Sequence, residues 1–419
     1  MMKEKLMPEE NYLLKLLARV FREKSSVPLS LSTQTKFKKN VDYEKMMDMA
    51  ERHAVLPLLY DSLCAAPFFS DTLKQRLTAV SRKTVMQSYH LLFLSRYIIQ
   101  MLEGRGISVA LLKGSSTSIF YPTPELRKSG DIDLLLLDDD KKQEACDLLS
   151  GLGFGFADDQ HAQHHLEYML WDGMIVELHL MLAEPFDNEK VNRYIEQKRT
   201  ECKKHTVVQD VLGIPLPVLN DGFHSYYLLL HMLQHFLRSG FGLKLLCDWS
   251  AFWNRDVEEE EKKIFLTLVK ESGMLGFART ISSVCVEYLG LIEERIQFLF
   301  EHKPMLNFNS KTDRCKFMLE VLEAEEFGNS ESDRMVMLRG TGLKYYLLEF
   351  HHQMHLNFAK AGRIFVLWPI LWLITLFRFL NNNRKIRNVS SRDILKKAKS
   401  RSQIMNKMEL FVIDNYNKK

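Results

Sequence analysis

Two carboxylates, Asp131 and Asp133, are separated by a single residue in the apolar segment DIDLLLL. Side chains alternate across a β-strand, so both acids share one face of the predicted strand while Ile132 and Leu134 point to the other. Two carboxylates on one face of a mostly buried strand are costly unless a positive charge lies between them. Mg²⁺ prefers carboxylate oxygens together with substrate phosphates, so the pattern predicts a magnesium site.

A third carboxylate is expected from a neighbouring strand. The segment from Gly173 to Leu180, GMIVELHL, supplies Glu177 between apolar residues, with His179 on the same face. We expect Glu177 to complete the metal site. His179 is expected to lie beside that site rather than to bind the ion, because Mg²⁺ seldom takes an imidazole ligand.

A glycine–serine turn precedes the two aspartates. The apolar run from Ile107 to Leu112 predicts a buried strand, and Lys113-Gly114-Ser115 then leads into a helix. Gly114 lets the backbone approach a ligand without a Cβ in the way. Ser115 offers a hydroxyl and an N–H at a helix N-terminus, where anions are favoured. The turn therefore predicts a binding site for the phosphates of a triphosphate.

Two basic residues near the turn have two interpretations each. Arg127 either neutralises a phosphate or pairs with Asp131, and Lys113 has the same ambiguity. The residues alone favour neither interpretation.

These motifs resemble the DNA polymerase β-like nucleotidyltransferase superfamily, in which a strand, a Gly-Ser turn and a short helix precede an Asp-x-Asp strand and a later acid. The chain is more similar still to a family of uncharacterised bacterial nucleotidyltransferases. The motifs that carry this resemblance are Lys113-Gly114, the YP-x-P-x-x-R step from Tyr121 to Arg127, GDIDLL from Gly130 to Leu135, and Glu177-Leu178-His179. The spacing from Ser115 to Asp131 is longer than is usual in the superfamily, and the YP-x-P-x-x-R step accounts for it.

The resemblance implies a reaction and a role for each residue. Gly114 and Ser115, with Lys113 and Arg127 beside them, would hold the phosphates of an NTP. Asp131, Asp133 and Glu177 would bind two Mg²⁺ ions, with Mn²⁺ as an alternative. The reaction would transfer a nucleoside monophosphate to an acceptor hydroxyl and release pyrophosphate.

Members of the superfamily use different acceptors, so the resemblance leaves open whether the acceptor is a small molecule or a protein. An alternative from another class is a binding or regulatory module that keeps the fold but has lost its activity. No extended nucleic acid is expected as a partner, because the net charge is only +4 over 419 residues.

The predicted fold class is α+β, with a small mixed-sheet nucleotidyltransferase core flanked by N-terminal and C-terminal helical regions. The helical pattern is clearest at Glu10 to Arg22 and Thr72 to Leu102, where apolar stripes indicate packing surfaces. The predicted divisions are a helical region at 1–105, the core at 106–217, a helical domain at 218–340, and an apolar helix with a basic tail at 341–419.

The six cysteines are scattered without a C-x-x-C spacing, which predicts neither a disulfide framework nor a zinc ribbon. The charged, amphipathic N-terminus lacks the apolar core of a signal peptide. Both observations favour a cytoplasmic protein.

His231 and His235 lie four residues apart on a predicted apolar helix, and Lys244 and Asp248 follow in a glycine-containing turn. Similar features follow the catalytic domain in the bacterial family. These four residues and His179 are candidates for lining a cleft where they would meet the base, the ribose or the acceptor. The alternative is a structural role within the core and at a helix cap.

Near the end, the apolar run from Ile364 to Phe377 is followed by a basic tail. The run is shorter than the roughly 20 residues that a spanning helix needs, and Pro369 interrupts it. One interpretation is peripheral contact of residues 363–401 with anionic lipid at the inner face of the membrane. The other is a helix that packs on the protein's own core.

Overall fold

The computed structural model describes most of the chain. The described residues are 5–22, 41–67, 69–157, 165–170, 173–186, 188–238, 240–300, 310–324, 351, 354, 358, 365–385, 407–408 and 410–411.

A seven-stranded mixed sheet lies at the centre of the fold. Its strands are β1 (Val109–Leu111), β2 (Asp131–Leu136), β3 (Gly155–Ala157), β4 (His165–Met169), β5 (Ile175–His179), β6 (Thr206–Val211) and β7 (Ile214–Leu219). Their spatial order is β3-β4-β5-β2-β1-β7-β6. Strand β2 runs parallel to β5 and antiparallel to β1. With helices before and after it, this sheet confirms the predicted α+β class.

Helices precede the strands, lie between them and follow them along the chain. They are α1 (Pro8–Arg22), α2 (Tyr43–Arg52), α3 (Tyr60–Cys64), α4 (Asp71–Glu103), α5 (Ser115–Ser118), α6 (Lys142–Gly151), α7 (Glu189–Glu201), α8 (Asp221–Arg238), α9 (Leu243–Trp253), α10 (Glu259–Glu271), α11 (Leu275–Tyr288), α12 (Lys311–Ala324) and α13 (Trp368–Lys385). The helices predicted at Glu10 to Arg22 and Thr72 to Leu102 are confirmed as α1 and α4.

Strand β2 separates two apolar cores because its side chains alternate. Ile132 and Leu134 belong to a core that also contains the C-terminal half of α4. Leu135 faces the other way, into the larger core formed by the helical regions. Asp131 and Asp133 share the face of Leu135 and therefore point toward the helical layer.

Helix α4 spans both cores. Ser70 caps its N-terminus by accepting a hydrogen bond from the N–H of Leu73. Leu77 near its start packs in the larger core, whereas Ile98 and Leu102 near its end pack in the core beneath the sheet. One continuous helix thus ties the sheet to the helical layer.

The N-terminal and C-terminal helical regions share one core. Leu13 and Leu17 of α1 belong to the same apolar cluster as Leu246 of α9 and Phe277 of α11. The predicted domain boundaries stay predictions, but this shared core joins residues that they assign to different regions.

The β6–β7 hairpin contains the segment from Leu212 to Leu219, whose two prolines argue against a strand in the sequence. Pro215 and Pro217 lie within β7 and pair with Asp210 and Val208 of β6. Strand β1, on the other side of β7, is three residues long and pairs with it at Val218. The N–H groups that proline lacks are therefore little needed there.

Helix α13 contains the part of the apolar run from Trp368 to Phe377, and several of its apolar side chains are exposed. Within the described residues, no helix is long and apolar enough to cross a membrane. Residues 386–401, which carry most of the basic tail, lie outside the described residues. The membrane contact and the cytoplasmic location stay predictions.

Gly290 allows α1 to approach the turn after α11, which gives a test of the shared core. Its φ is +72°, and a Cβ there would lie 2.2 Å from the carbonyl oxygen of Ala18. We expect Gly290→Ala to reduce the free energy of unfolding by about 3 kcal/mol or more, because backbone must move and the conformation is strained. Urea denaturation measures this loss.

Gly213→Ala is the matched control for Gly290→Ala. Gly213 also has a positive φ, +86°, but a Cβ there would meet no atom within 4 Å. Only the backbone conformation is strained, so the expected loss is about 1 kcal/mol. Equal losses for the two variants would contradict the contact between α1 and this turn.

Candidate active site

The parallel register of β2 and β5 brings two acids side by side. Asp133 is paired directly with Glu177 across the two strands. Asp133 is fully buried, while Glu177 is partly accessible. The strand β5, next to β2, thus places Glu177 where the sequence analysis expected a third acid, and its role as a metal ligand stays a prediction. Asp131, two residues earlier on β2, lies at the more exposed end of the same face.

Two basic side chains lie among these acids. The Nζ of Lys113 is 3.0 Å from Oδ1 of Asp133 and 3.4 Å from Oδ2 of Asp131. The Nε2 of His179 is 3.0 Å from Oδ1 of Asp133 and 3.1 Å from Oε2 of Glu177. Of the two interpretations of Lys113, the structure shows the ion pair with the acids.

The cluster shifts the pKa values of its members. Burial alone would lower the pKa of His179, but hydrogen bonds to Asp133 and Glu177 outweigh it and raise the pKa to about 9. Burial would raise the pKa of Glu177, yet the hydrogen bond from His179 and the charge of Lys113 lower it to about 2. With these partners Glu177 is ionised and His179 is protonated at neutral pH.

The donor set fits a metal ion. Asp133, Glu177 and, once a bound ion displaces its proton, His179 each offer one ligand atom, and these atoms lie within 4.8 Å of one another. The buried Oδ2 of Asp133 has no hydrogen-bond partner among the described residues. A buried carboxylate oxygen in that state favours a further cation. His179 was expected beside the metal site, and the structure places it among the candidate metal ligands.

Gly114 turns the chain from β1 toward the acids. It adopts φ +73°, a conformation that favours glycine, and a Cβ there would lie 3.4 Å from the carbonyl oxygen of Asp131. Ser115 begins α5, which is four residues long. A helix of one turn has a small dipole, so phosphate binding at this turn would depend on its backbone N–H groups and on Lys113.

Arg127 pairs with Asp248 rather than with Asp131, and this pairing argues against a phosphate contact for Arg127 and favours the structural alternative for Asp248. Arg127 donates from Nε to Oδ1 of Asp248 at 2.7 Å and from Nη2 to Oδ2 at 2.8 Å. The hydroxyl of Tyr121 donates to the same Oδ1 at 2.6 Å. Both charged side chains are buried. Helix α9 places Asp248 against Arg127, and a bidentate pair leaves neither group available for a ligand.

Arg127 also holds the turn itself. Its Nη1 donates to the hydroxyl of Ser129 at 2.6 Å and to the carbonyl oxygen of Gly114 at 3.3 Å. The guanidinium thus connects Asp248 of the helical layer with both ends of the segment from Gly114 to Ser129. Arg127 and Asp248 position the site.

A row of aromatic side chains on α8 leads away from the acids. The ring of Tyr227 lies 6.5 Å from that of His179, and His231 follows at 6.1 Å from Tyr227. The rings of His231 and His235 are 4.5 Å apart. Tyr227 was not among the predicted site residues, although its spacing of four and eight residues from the two histidines indicates that all three share one helix face.

Both histidines of this row are half-buried. Burial, followed by the positive charge of Lys113, lowers the pKa of His231 well below its usual value. Burial, Lys113 and Lys244 lower the pKa of His235 to about 4. Both imidazoles are neutral at pH 7, so each ring has one hydrogen-bond donor and one acceptor. The charges of Lys113 and Lys244 both act on His231 and His235, so these four residues lie in one region of the fold.

The family model described as "Uncharacterised nucleotidyltransferase" matches residues 39–290, which is more than half of the chain. The chain also resembles a solved structure, an antigenic nucleotidyltransferase-like protein from Paracoccidioides brasiliensis, at 16% identity and a TM-score of 0.30, covering 49% of this chain and 96% of that one. A likeness at this TM-score carries no argument about function. No curated protein matches the chain.

The Arg127–Asp248 pair gives a prediction about stability. Asp248→Asn leaves a buried guanidinium without its counter-charge, and we expect a loss of about 3 kcal/mol in the free energy of unfolding. Replacing both partners with apolar residues, Arg127→Met with Asp248→Leu, should recover part of the loss. Urea denaturation of the single and double variants tests this.

Asp221→Asn serves as the control for Asp248→Asn. It removes an ion pair with Arg255, at 2.8 Å, between two partly exposed side chains. The expected loss is at most about 1 kcal/mol, because water screens such a pair. If Asp248→Asn costs no more than Asp221→Asn, the buried pair does not have the role assigned to it.

Proposed function

This chain belongs to the family of uncharacterised nucleotidyltransferases, and we propose that it transfers a nucleoside monophosphate from an NTP to an acceptor hydroxyl and releases pyrophosphate. The observation that carries the proposal is the direct pairing of Asp133 with Glu177 on parallel strands. The Gly114 turn next to this pair supports it, because a Cβ at Gly114 would contact the backbone of Asp131.

We assign the metal site to Asp131, Asp133 and Glu177, with His179 close enough to contribute. Carboxylate oxygens favour Mg²⁺, with Mn²⁺ as the alternative, and two ions are proposed. When bound, these cations would stabilise the negative charge that develops on the transferred phosphoryl group.

The residues themselves can bind the nucleotide and accept a proton. Lys113 places a positive charge beside Asp131 and Asp133, where it would also attract the phosphates of an NTP. The Glu177 side chain is partly accessible, so an acceptor hydroxyl can approach it more readily than the buried Asp133. Of the two acids Glu177 is therefore the better placed to accept the hydroxyl proton; the hydrogen bond from His179 fixes its orientation and also lowers its pKa to about 2, which weakens it as a base.

The aromatic row on α8 would bind the parts of the two substrates other than the phosphates. Tyr227, His231 and His235 offer ring faces and neutral imidazole nitrogens, and Lys244 adds a positive charge close to them. Such groups suit a base, a ribose hydroxyl or the acceptor rather than a nucleic-acid backbone. We propose a small molecule or a protein as the acceptor.

A second candidate function rests on the charges already within the cluster. Lys113 and His179 balance the buried acids without any further cation. This arrangement is compatible with a nucleotide-binding or regulatory module that has no catalytic activity. Calorimetry distinguishes the two functions, since nucleotide binding without any product would favour the module.

Removing a metal-binding carboxylate tests the enzymatic function. We expect Asp131→Asn, Asp133→Asn and Glu177→Gln each to lower turnover at least about a hundredfold, because the charge that holds the cation is lost. The assay incubates the protein with Mg²⁺ and each α-labelled NTP, alone and with a cell extract. It measures pyrophosphate release, and mass spectrometry identifies the modified metabolite or protein.

Asp140→Asn is the matched control. Asp140 is exposed just beyond the end of β2, and the same change there should leave turnover unaltered. Full activity of Asp131→Asn, or the absence of product with every nucleotide and extract, would contradict the proposed reaction. Adding excess EDTA should abolish turnover in the wild-type protein, and Mg²⁺ should restore it.

A further inference from the structure

Helix α4 exposes a line of large apolar side chains that the candidate active site does not use. The line consists of Met86, Tyr89, Phe93, Tyr97 and Met101, with exposed fractions between 38% and 74%. Residues three or four apart share one face of a helix, so the five side chains form a continuous stripe. We call it the α4 stripe. It lies on the solvent side of a helix whose other face is buried by Leu91, Ile98 and Leu102.

The α4 stripe has the same order of residue types in both directions. Phe93 is at its centre, Tyr89 and Tyr97 lie four residues to either side, and Met86 and Met101 lie seven and eight residues away. A surface that meets its own copy across a two-fold axis must be complementary to itself. In an antiparallel pair of stripes, Phe93 would lie near the two-fold axis. Met86 of each copy would then approach Met101 of the other copy.

We propose that this chain forms a two-fold symmetric dimer through antiparallel packing of two α4 stripes. The proposal is independent of the reaction proposed above. The occupant of the stripe is a second copy, because an antiparallel pair centred on Phe93 sets Tyr against Tyr and Met against Met and brings Lys83 of one copy opposite Glu103 of the other. The exposed charged residues Arg82, Lys83 and Glu103 lie toward its two ends, where they would form a polar rim.

The stripe is ordered before it associates. The rings of Tyr89 and Phe93 stack at 6.5 Å with an interplanar angle of 27°. The hydroxyl of Tyr89 donates to Oε1 of Glu125 at 3.0 Å. Side chains that are already held lose less conformational entropy on binding, which favours association.

The size of the stripe sets the expected strength of the dimer. An aromatic side chain covers roughly 150–250 Å² when fully buried, so five half-exposed side chains offer on the order of 500 Å² per subunit. A standard stable interface covers about 800 Å² per partner. The dimer should therefore be reversible, with a dissociation constant in the micromolar range.

Sedimentation velocity over a concentration series tests the interface in the full chain. The wild-type protein should shift from monomer to dimer between about 1 and 100 µM. Phe93→Glu places two like charges near the axis, and the dissociation constant should rise at least tenfold. Val208→Glu is the matched control, because Val208 is also an exposed apolar residue, on β6, and should leave the constant unchanged. Thermal unfolding checks that both variants fold.

Cysteine cross-linking tests the antiparallel arrangement with milder substitutions. At about 1.5 Å per residue, the two copies of residue 86 would lie about 20 Å apart along the helix axis, too far for a disulfide. Met86→Cys mixed with Met101→Cys should therefore cross-link under mild oxidation, while Met86→Cys alone should not. The unaltered chain, with its six native cysteines, gives the background.

The proposal is overturned by any of three results. They are a wild-type chain that stays monomeric at 100 µM, a dimer that Phe93→Glu leaves unchanged, and efficient cross-linking of Met86→Cys alone. A monomeric wild-type chain would mean that the stripe meets a different protein or a lipid surface instead.

Discussion

The acidic cluster at the junction of β2 and β5 is the constraint on which the structure depends. Asp133 is fully buried beside Glu177, and two carboxylates in that position require positive charge close by. Lys113 and His179 supply it, each within hydrogen-bonding distance of Asp133. The chain must therefore place the end of β1, the start of β2 and the end of β5 at one point. The sheet order, with β2 between β5 and β1, achieves this.

A second buried charge pair connects this point to the helical layer. Arg127 and Asp248 are separated by 121 residues in the chain, yet they form two hydrogen bonds. The pair ties the loop before β2 to α9, and α8, which precedes α9, carries the row from Tyr227 to His235. The position of this aromatic row relative to the acids thus depends in part on an ion pair whose two residues belong neither to the row nor to the acidic cluster. Such an ion pair suits a site in which the acids lie on the sheet and the aromatic row lies on a helix.

Local patterns in the sequence were sufficient to predict many of the helices and strands. The apolar periodicity of α1 and α4 and the alternation in β2 and β5 predicted those elements, because side-chain spacing follows directly from helix and strand geometry. The β6–β7 hairpin was missed because Pro215 and Pro217 argue against a strand unless the neighbouring strand is known to be short. The α4 stripe was likewise hidden, since apolar periodicity alone does not tell a buried face from an exposed one.

The sequence by itself determined which residues carry the negative charge of the candidate site. They are Asp131 and Asp133 on one strand face and Glu177 on a later strand. Only the tertiary structure decided their partners. Arg127 was expected beside a phosphate or Asp131, and it pairs with Asp248 instead; His179 was expected outside the metal group, and it lies between Asp133 and Glu177. Charged groups are paired by proximity in space, and proximity between residues far apart in the chain is set by the packing of the sheet against the helices, which no local pattern encodes.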